Sequence, residues 1–187
     1  MRLIRRGQAR VVAWKNGGGL TYELAASPEG AGFEDFDWRL SMAEVASDGP
    51  FSIFPGVDRT LTLLDGAGIA LDFSERAVTL APGSGPFAFP GEAAVTGRLL
   101  DGPILDLNVM TRRGRLAHHV RLLRAGEAAP AGTMALVSRR DGARAGEAML
   151  NRADCLIGAL AGLRGNSEMI AVTLDGVGAG LASRAQE

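Results

Sequence analysis

Polar residues of the kinds that bind or transform small molecules fall into three stretches of the first 113 residues, and the rest of the chain has no comparable set. Arginine forms two-point hydrogen bonds with carboxylates, lysine adds a compact charge, and amide and hydroxyl groups add directional hydrogen bonds. These residue types predict a single site for a small carboxylate. The candidate residues are Lys15, Asn16, Thr21, Glu23, Arg39, Ser41, Asp58, Arg59 and Asn108.

Lys15 is the only lysine of the chain, and three glycines, residues 17–19, follow Asn16. A lysine amine can lose its proton when it is buried, whereas arginine keeps its charge. Successive glycines can leave N–H groups free to hold an anion. The segment is equally compatible with a solvated lysine and a tight turn between strands. It is not a P-loop, because in that motif the lysine follows the glycines.

The residues around Arg39 alternate between apolar and polar types, which is typical of a half-buried β-strand. Successive side chains of a strand point to opposite faces. If the face that holds Trp38 packs into the core, Arg39 and Ser41 point the other way. We therefore expect these two side chains to reach either solvent or a polar cavity.

Arg59 lies in a second alternating stretch and shares its face with Leu61. An unpaired buried charge is very costly, so an arginine on an apolar face needs a partner. The partner is either Glu23 or Asp106 in a structural ion pair, which is the alternative we favour, or the carboxylate of a ligand.

The residues that usually bind metals or act as nucleophiles lack the required spacing. His118 and His119 are adjacent, so in a strand they face opposite sides and do not bind one metal ion together. Cys155 lies in an apolar stretch and is expected in the core. The Gly-x-Ser-x-Gly motif of many hydrolases is absent. We predict neither a metal site nor a cofactor.

The hydrophobic pattern has a period of two and is interrupted by Gly, Pro or Asp every eight to twelve residues, which favours an all-β sandwich or barrel. Helical signals are few. Residues 43–46 fit one helical turn, with Ser41 and Glu44 spaced as in a capping box. Strands are predicted over residues 38–43, 57–63, 68–73, 77–80, 87–89, 94–100, 104–111, 115–123, 133–138, 147–150, 154–157 and 168–174.

Length and composition describe an ordinary globular protein. The chain has 187 residues, 47% of them hydrophobic, and a net charge of −1. This charge does not fit a nucleic-acid-binding protein, which usually carries a basic surface. The N-terminal residues lack the apolar segment of a signal peptide, and no apolar run is long enough to span a bilayer. We therefore expect a cytoplasmic protein that binds neither nucleic acid nor membrane.

Five short motifs occur in a characteristic order and together resemble the HutD family, which includes the Ves proteins. The similarity covers roughly residues 1–123. It implies a bicupin, with two small antiparallel β-barrels of the jelly-roll type and few short helices. Residues 1–113 would form the barrel that carries the motifs, and residues 114–187 a degenerate second barrel. This arrangement allows strands to be exchanged between the two barrels. The motifs are WKNGGGLTYE (residues 14–23), WRLSMA (38–43), DGPFS (48–52), PGVDRTL (55–61) and DLNVMTR (106–112).

The resemblance implies a metal-independent protein that binds a small anionic metabolite, such as formylglutamate or urocanate, and senses or regulates histidine utilisation. One alternative is an enzyme, an isomerase, hydrolase or lyase, that uses Lys15 or Glu23 as acid or base. A second is a protein-interaction module in which the polar clusters are structural ion pairs. Many cupins dimerise by extending a sheet, so an edge strand near either terminus could form a homodimer.

Overall fold

The computed structural model describes residues 1–14 and 17–176. Within these residues the regular structure consists of β-strands and one short 3-10 helix, Arg6–Gln8. The strands are β1 (Arg2–Ile4), β2 (Arg10–Ala13), β3 (Gly19–Ser27), β4 (Trp38–Val45), β5 (Gly49–Pro50), β6 (Val57–Asp65), β7 (Ile69–Asp72), β8 (Ala77–Leu80), β9 (Phe87–Pro90), β10 (Thr96–Leu99), β11 (Ile104–Arg112), β12 (Leu116–Leu123), β13 (Thr133–Ser138), β14 (Ala143–Ala145), β15 (Ala148–Leu150), β16 (Cys155–Ile157) and β17 (Met169–Gly176).

The strands form three antiparallel sheets and a separate hairpin. A six-stranded sheet has the order β2-β3-β4-β11-β6-β9, and a four-stranded sheet has the order β5-β10-β7-β8. The five-stranded sheet has the order β1-β16-β13-β17-β12, and β14 pairs with β15. In the described residues each sheet ends in two edge strands, so none closes on itself through hydrogen bonds. The all-β prediction is confirmed.

The six-stranded sheet lies between the other two sheets, and each of its faces packs on a different core. On one face, Leu40 and Met42 of β4 with Leu107 of β11 pack against residues of the five-stranded sheet such as Val137 and Ile170. On the other face, residues of β6 and β11 pack with residues of β7 and β8 in the four-stranded sheet. Because alternate side chains of a strand point to opposite faces, the same strands contribute apolar residues to both cores.

The structure overturns one local prediction. Residues 43–46 do not form a helical turn, because β4 continues to Val45. The Ser41 and Glu44 signal of a capping box is overridden by pairing, since β4 has hydrogen-bonded neighbours on both sides, β3 and β11. A helical turn here would abandon both ladders and remove the buried Val45 from its core. Tertiary packing therefore outweighs the local preference.

The first strand of the chain joins the sheet that is otherwise built from residues 116–176. Arg2 of β1 pairs with Ile157 of β16, and Ile4 pairs with Cys155. Cys155 is fully buried, as its apolar surroundings in the sequence predicted. No helix in the described part of the chain is long and apolar enough to cross a membrane.

Candidate functional site

A cavity of about 460 Å³ opens on the face of the six-stranded sheet that also packs against the four-stranded sheet. The sheet forms its floor, while the segment at residues 50–54 and Phe33 form walls. Its volume lies in the range of small-molecule sites. Its polar lining residues are Thr21, Arg39, Ser41, Ser52, Arg59, Asp106 and Asn108, and its apolar ones include Trp14, Phe33, Phe51, Phe54 and Met110.

The register of three neighbouring strands brings the charged and amide side chains together. Met110 of β11 pairs with Arg39 of β4 on one side and with Arg59 of β6 on the other. Two residues earlier on β11, Asn108 pairs with Ser41 of β4. Because alternate residues share a face, all five side chains point to the same side of the sheet. The polar residues that the sequence separates by up to 70 positions therefore meet in one place.

Arg39 is anchored by an ion pair at the edge of the cavity. Its Nη2 donates a hydrogen bond to Glu23 Oε2 at 3.0 Å, and its side chain is only 3% exposed. Arg10 Nη1 lies 3.8 Å from the other oxygen of Glu23, and the guanidinium of Arg39 packs over the ring of Phe33. Burial lowers the pKa of Arg39, and the negative charge of Glu23 opposes that shift. Glu23 therefore holds Arg39 in place.

Arg59 is as deeply buried as Arg39 but has no carboxylate in contact among the described residues. It is 4% exposed, its Nη1 donates to the carbonyl oxygen of Ser52 at 3.1 Å, and its Nε has no hydrogen-bond partner within residues 1–14 and 17–176. Burial lowers the pKa of Arg59 to about 10, partly offset by the charge of Asp106. Its guanidinium carbon lies 5.0–5.7 Å from the ring centres of Phe51, Phe54 and Phe89.

Asp106 is a cavity carboxylate that the sequence singled out only as one of two partners for Arg59. It is 1% exposed, and its Oδ1 has no hydrogen-bond partner among the described residues. Burial raises the pKa of Asp106 to about 7, and the charge of Arg59 opposes that shift. No direct ion pair joins these two side chains. Within the described residues, the structural ion pair that we favoured for Arg59 forms instead between Arg39 and Glu23.

Thr21 and Ser41 line the cavity with hydroxyl groups. Asn108 adds an amide whose Oδ1 is buried and has no partner in the part of the chain that the structure describes. The Oγ1 of Thr21 accepts a hydrogen bond of 2.8 Å from Trp14 Nε1, which fixes the indole ring at the cavity wall. Three of the predicted hydrogen-bonding residues are thus brought together with both arginines.

Asp58 is not brought into the cavity. It lies on the opposite face of β6 from Arg59 and is about half exposed. Its Oδ1 accepts hydrogen bonds from Arg113, whose guanidinium also contacts Glu92. These contacts form a surface network outside the cavity, as the alternation along the strand requires.

Lys15 and Asn16 lie outside the described residues, although the residue before them, Trp14, lines the cavity. The glycines after them meet steric demands of the backbone. Gly17 has a φ of +72° and donates its N–H to the carbonyl of Trp14. A Cβ on Gly19 would collide with the backbone oxygen of Glu44, so the close approach of β3 to β4 requires glycine there.

Among the lining residues, Phe33 and Asp106 were missing from the set of expected site residues. Asp106 lies two positions before Asn108 on β11, so alternation places both on one face. Phe33 belongs to a loop, for which no periodic signal exists. Among the described residues, no group of three or more His, Cys, Asp or Glu side chains is arranged to hold a metal ion.

The fold and the cavity define the chain as an all-β protein of stacked antiparallel sheets with a charged, small-molecule-sized cavity. The chain belongs to the HutD family, whose family model matches residues 6–175. Protein Ves of Citrobacter koseri is 40% identical over 110 residues, which make up 58% of this chain and 56% of that protein. The chain thus aligns with little more than half the length of this curated relative.

Two solved structures match nearly the whole chain. HutD from Pseudomonas fluorescens SBW25, in a formate condition, has a TM-score of 0.81 and 32% identity, covering 94% of this chain and 98% of that one. A conserved protein of unknown function from Pseudomonas aeruginosa PAO1 has a TM-score of 0.80 and 32% identity, covering 93% and 98%. The resemblance read from the five sequence motifs is confirmed.

Proposed function

We propose that this protein binds a small carboxylate metabolite in the cavity without a metal ion, and that binding serves sensing or regulation in histidine utilisation. The observation that carries the proposal is Arg59. This side chain is 4% exposed, lines the cavity and contacts no carboxylate among the described residues. A buried cation needs an anionic partner, and a ligand carboxylate that enters the cavity would supply one.

The environment of Arg59 suits recognition of a carboxylate. Arginine presents several N–H groups in a rigid plane, which matches the two oxygens of a carboxylate. In the described residues the Nε of Arg59 has no other partner, while its Nη1 is held by Ser52. The phenylalanine rings around the guanidinium keep water away and strengthen its electrostatic attraction for an anion. Arg39, held by Glu23, adds a second positive charge to the same cavity.

Family membership supports the biological setting, since HutD proteins are linked with histidine utilisation. On the same grounds we propose a cytoplasmic protein with a bicupin architecture, in which residues 1–113 carry the site and residues 114–187 form a degenerate second barrel. All the lining residues of the cavity lie within the first of these segments, which agrees with a single site. Lys15 and Asn16 complete the proposed set of ligand-binding residues.

Calorimetric titration with formylglutamate, urocanate and histidine tests the proposal. We expect at least one of them to bind, with an unchanged dissociation constant in the presence of a metal chelator. Arg59→Lys keeps the charge but loses the planar pair of donors, so it should weaken binding about tenfold or more. Arg59→Ala should abolish binding. Arg121→Ala, which removes an exposed arginine of β12, is the matched control and should bind normally.

If none of the three compounds produces heat, or if Arg59→Ala binds as tightly as the parent protein, the proposed function is wrong. The folded state of each variant is checked by its thermal unfolding midpoint. A loss of binding in Arg59→Ala counts only when the protein remains folded at the temperature of the titration. Arg59→Lys keeps the positive charge and is the second variant, to be used if Arg59→Ala does not fold.

The alternative function, an enzyme with Lys15 or Glu23 as acid or base, predicts turnover of a pathway intermediate. Glu23 Oε2 already accepts a hydrogen bond from Arg39, and Arg10 lies 3.8 Å from Oε1, so both arginines stabilise the ionised form of this carboxylate. The cavity carboxylate that has a pKa near neutrality is Asp106, which is the property required of a general acid or base. Turnover that is lost in Glu23→Gln without loss of binding would favour an enzyme that uses Glu23 as its acid or base.

A further inference from the structure

A second cleft, with a volume of about 480 Å³, lies between the end of β6 and the end of β13. Among the described residues, it shares no lining residue with the carboxylate cavity. The turn after β6 and the loop between β8 and β9 form one side, and residues that follow β13 form part of the other. Three arginines and two carboxylates line the cleft and leave it a net charge of +1: Arg139, Arg140, Arg152, Asp65 and Glu168.

The three arginines retain most of their hydrogen-bond donors. Arg139 Nη1 contacts Glu168 at 2.5 Å, while its Nε and Nη2 have no partner in the part of the chain that the structure describes. Arg152 Nη1 contacts Asp65 at 2.5 Å, and its other two nitrogens are likewise without a partner there. The exposed guanidinium of Arg140 makes neither a hydrogen bond nor an ion pair within residues 1–14 and 17–176. The donors of three side chains are thus available to one ligand.

Hydrogen bonds fix the backbone that carries two of these arginines. Ser138 is completely buried, and its Oγ donates to the carbonyl oxygen of Arg140 at 2.7 Å and accepts from the N–H of Arg140 at 3.2 Å. The N–H of Arg152 donates to Asp141 Oδ1 at 2.9 Å. Because the backbone is already held in place, binding of a ligand has to order only the arginine side chains, which reduces the entropic cost of binding.

A phosphate group suits this arrangement better than a carboxylate does. A carboxylate has two oxygens in one plane, and a single arginine satisfies both of them. A phosphate group has three acceptor oxygens that point in different directions and carries a charge of about −2, so several arginines can bind it together. The cleft is also as large as a site for a whole small molecule, which leaves room for the organic part of a phosphate ester.

We propose that this cleft is a second ligand site, separate from the carboxylate cavity, and that it binds the phosphate group of a small molecule. Arg139 and Arg152, each held by a carboxylate, supply donors from fixed positions, and Arg140 moves onto the phosphate when it binds. The phosphate group belongs either to a phosphorylated metabolite or to free inorganic phosphate, and the two sources differ in the affinity that each predicts.

Phosphorus NMR titrations with inorganic phosphate and with glycerol 3-phosphate test the proposal, because this nucleus reports only on the phosphate group. We expect binding, and an equal concentration of acetate should not displace the phosphate. Arg140→Ala and Arg152→Ala should each weaken binding about tenfold, since each removes a charged donor group. Arg124→Ala removes the same charge from an exposed position after β12, outside the cleft, and should bind phosphate as the parent protein does.

Tighter binding of glycerol 3-phosphate than of inorganic phosphate would identify a phosphorylated metabolite as the ligand, and the reverse order would identify free phosphate. Absence of binding by both compounds, displacement by acetate, or unchanged binding in both Arg140→Ala and Arg152→Ala would overturn the proposal. Loss of phosphate binding in Arg59→Ala alone would place the phosphate in the carboxylate cavity and would also overturn it. Calorimetric binding of carboxylates is a separate measurement, so either proposal can fail without the other.

Discussion

The two faces of the six-stranded sheet are built from the same strands, yet they treat buried polar groups in opposite ways. On the face toward the five-stranded sheet, His118 lies 2.8 Å from Thr60 Oγ1 and 2.7 Å from Thr111 Oγ1, which uses both ring nitrogens. The hydroxyl of Thr62 is the one buried side-chain atom there without a partner in the described residues.

On the cavity face, four side chains, three of them ionisable, have buried atoms without a hydrogen-bond partner among the described residues. This difference distinguishes buried polar groups that stabilise the fold from buried polar groups that bind a ligand. Where hydrogen bonds are complete, the polar groups stabilise the packing of two sheets. Where buried charged groups lack hydrogen-bond partners, their burial lowers the stability of the unliganded protein. A ligand that supplies the partners removes this cost. The four cavity residues are Arg39, Arg59, Asp106 and Asn108.

The largest expected effect lies on the packed face. Leu107 is completely buried in the core between the two sheets. Leu107→Ala should lower the free energy of unfolding by about 4 kcal/mol, because it removes buried apolar surface and leaves a cavity. Urea unfolding followed by circular dichroism measures the effect. Leu100→Ala, at a half-exposed leucine, is the matched control and should cost less than about 1 kcal/mol.

His118 makes the packed face sensitive to acid. Burial lowers the pKa of His118 to about 4, whereas the unfolded residue titrates near 6.5. Between these values the unfolded chain binds the extra proton, so this histidine's contribution to stability is complete above about pH 6.5 and is lost as the pH falls toward 4. The loss is about 3 kcal/mol. Urea unfolding from pH 4.5 to 7.5 should show this slope, and His118→Gln should not.

The exposed neighbour His119 provides the control for that measurement. His119→Gln should retain the acid-sensitive slope of the parent protein. A slope that persists unchanged in His118→Gln would mean that the hydrogen bonds to the two threonine hydroxyls do not exclude the proton.

Asp106 gives the cavity face the opposite dependence on pH. Its pKa is about 7 in the folded protein and near 3.8 when unfolded, so the folded state binds the extra proton between these values. The resulting contribution to stability is present below about pH 4 and is lost as the pH rises through 7. Relative to the parent protein, Asp106→Asn should therefore gain stability as the pH rises from 5 to 7.5. A constant difference across this range would contradict the assignment.

The ion pair between Glu23 and Arg39 shows how much a carboxylate partner contributes when the arginine is buried. Glu23→Gln leaves Arg39 buried without its counter-charge and should lower the free energy of unfolding by about 2 kcal/mol, since Glu23 is partly exposed. Glu127→Gln alters a more exposed ion pair with Arg121 and should cost much less than Glu23→Gln. Chemical unfolding of both variants at one pH makes the comparison. Equal losses of unfolding free energy in the two variants would show that the burial of Arg39 does not strengthen its ion pair with Glu23.

Arg59 should give the smallest effect, with the opposite sign. Arg59→Met replaces a buried cation that contacts no carboxylate in the described residues by an apolar side chain of similar length. Because Asp106 can take up a proton, we expect a gain in unfolding free energy of about 1 kcal/mol with loss of carboxylate binding. The thermal midpoint and a calorimetric titration measure the two effects. A clear loss of stability would identify Arg59 as a structural residue.

Much of the architecture was predictable because a half-buried strand imposes its period on the sequence. The strand expected over residues 133–138 matches β13, and alternation placed Arg59 on the same face as Leu61. The helical turn at residues 43–46 failed, since local capping signals carry no information about the two strands that pair with β4. Short strands without a full period, such as β5 and β14, gave no signal.

The residue types of the site were predictable, but the contacts between these residues were not. Residue types identified both arginines, yet the partner of each depends on the register between strands that are far apart in the chain. Glu23 therefore contacts Arg39 rather than Arg59, and Asp58 turns outward to Arg113. The importance of Asp106 follows from its burial and its lack of a donor, which are properties of the folded environment.

The pairing of β1 with β16 has a consequence for biosynthesis. Residues 2–4 are made before their hydrogen-bonding partners at residues 155–157, which follow some 150 residues later in the chain. Strand β1 therefore cannot pair until β16 is made, and its pairing requires contact between distant parts of the chain, which is slow. A strand that is made long before its partner is thus among the last to join its sheet.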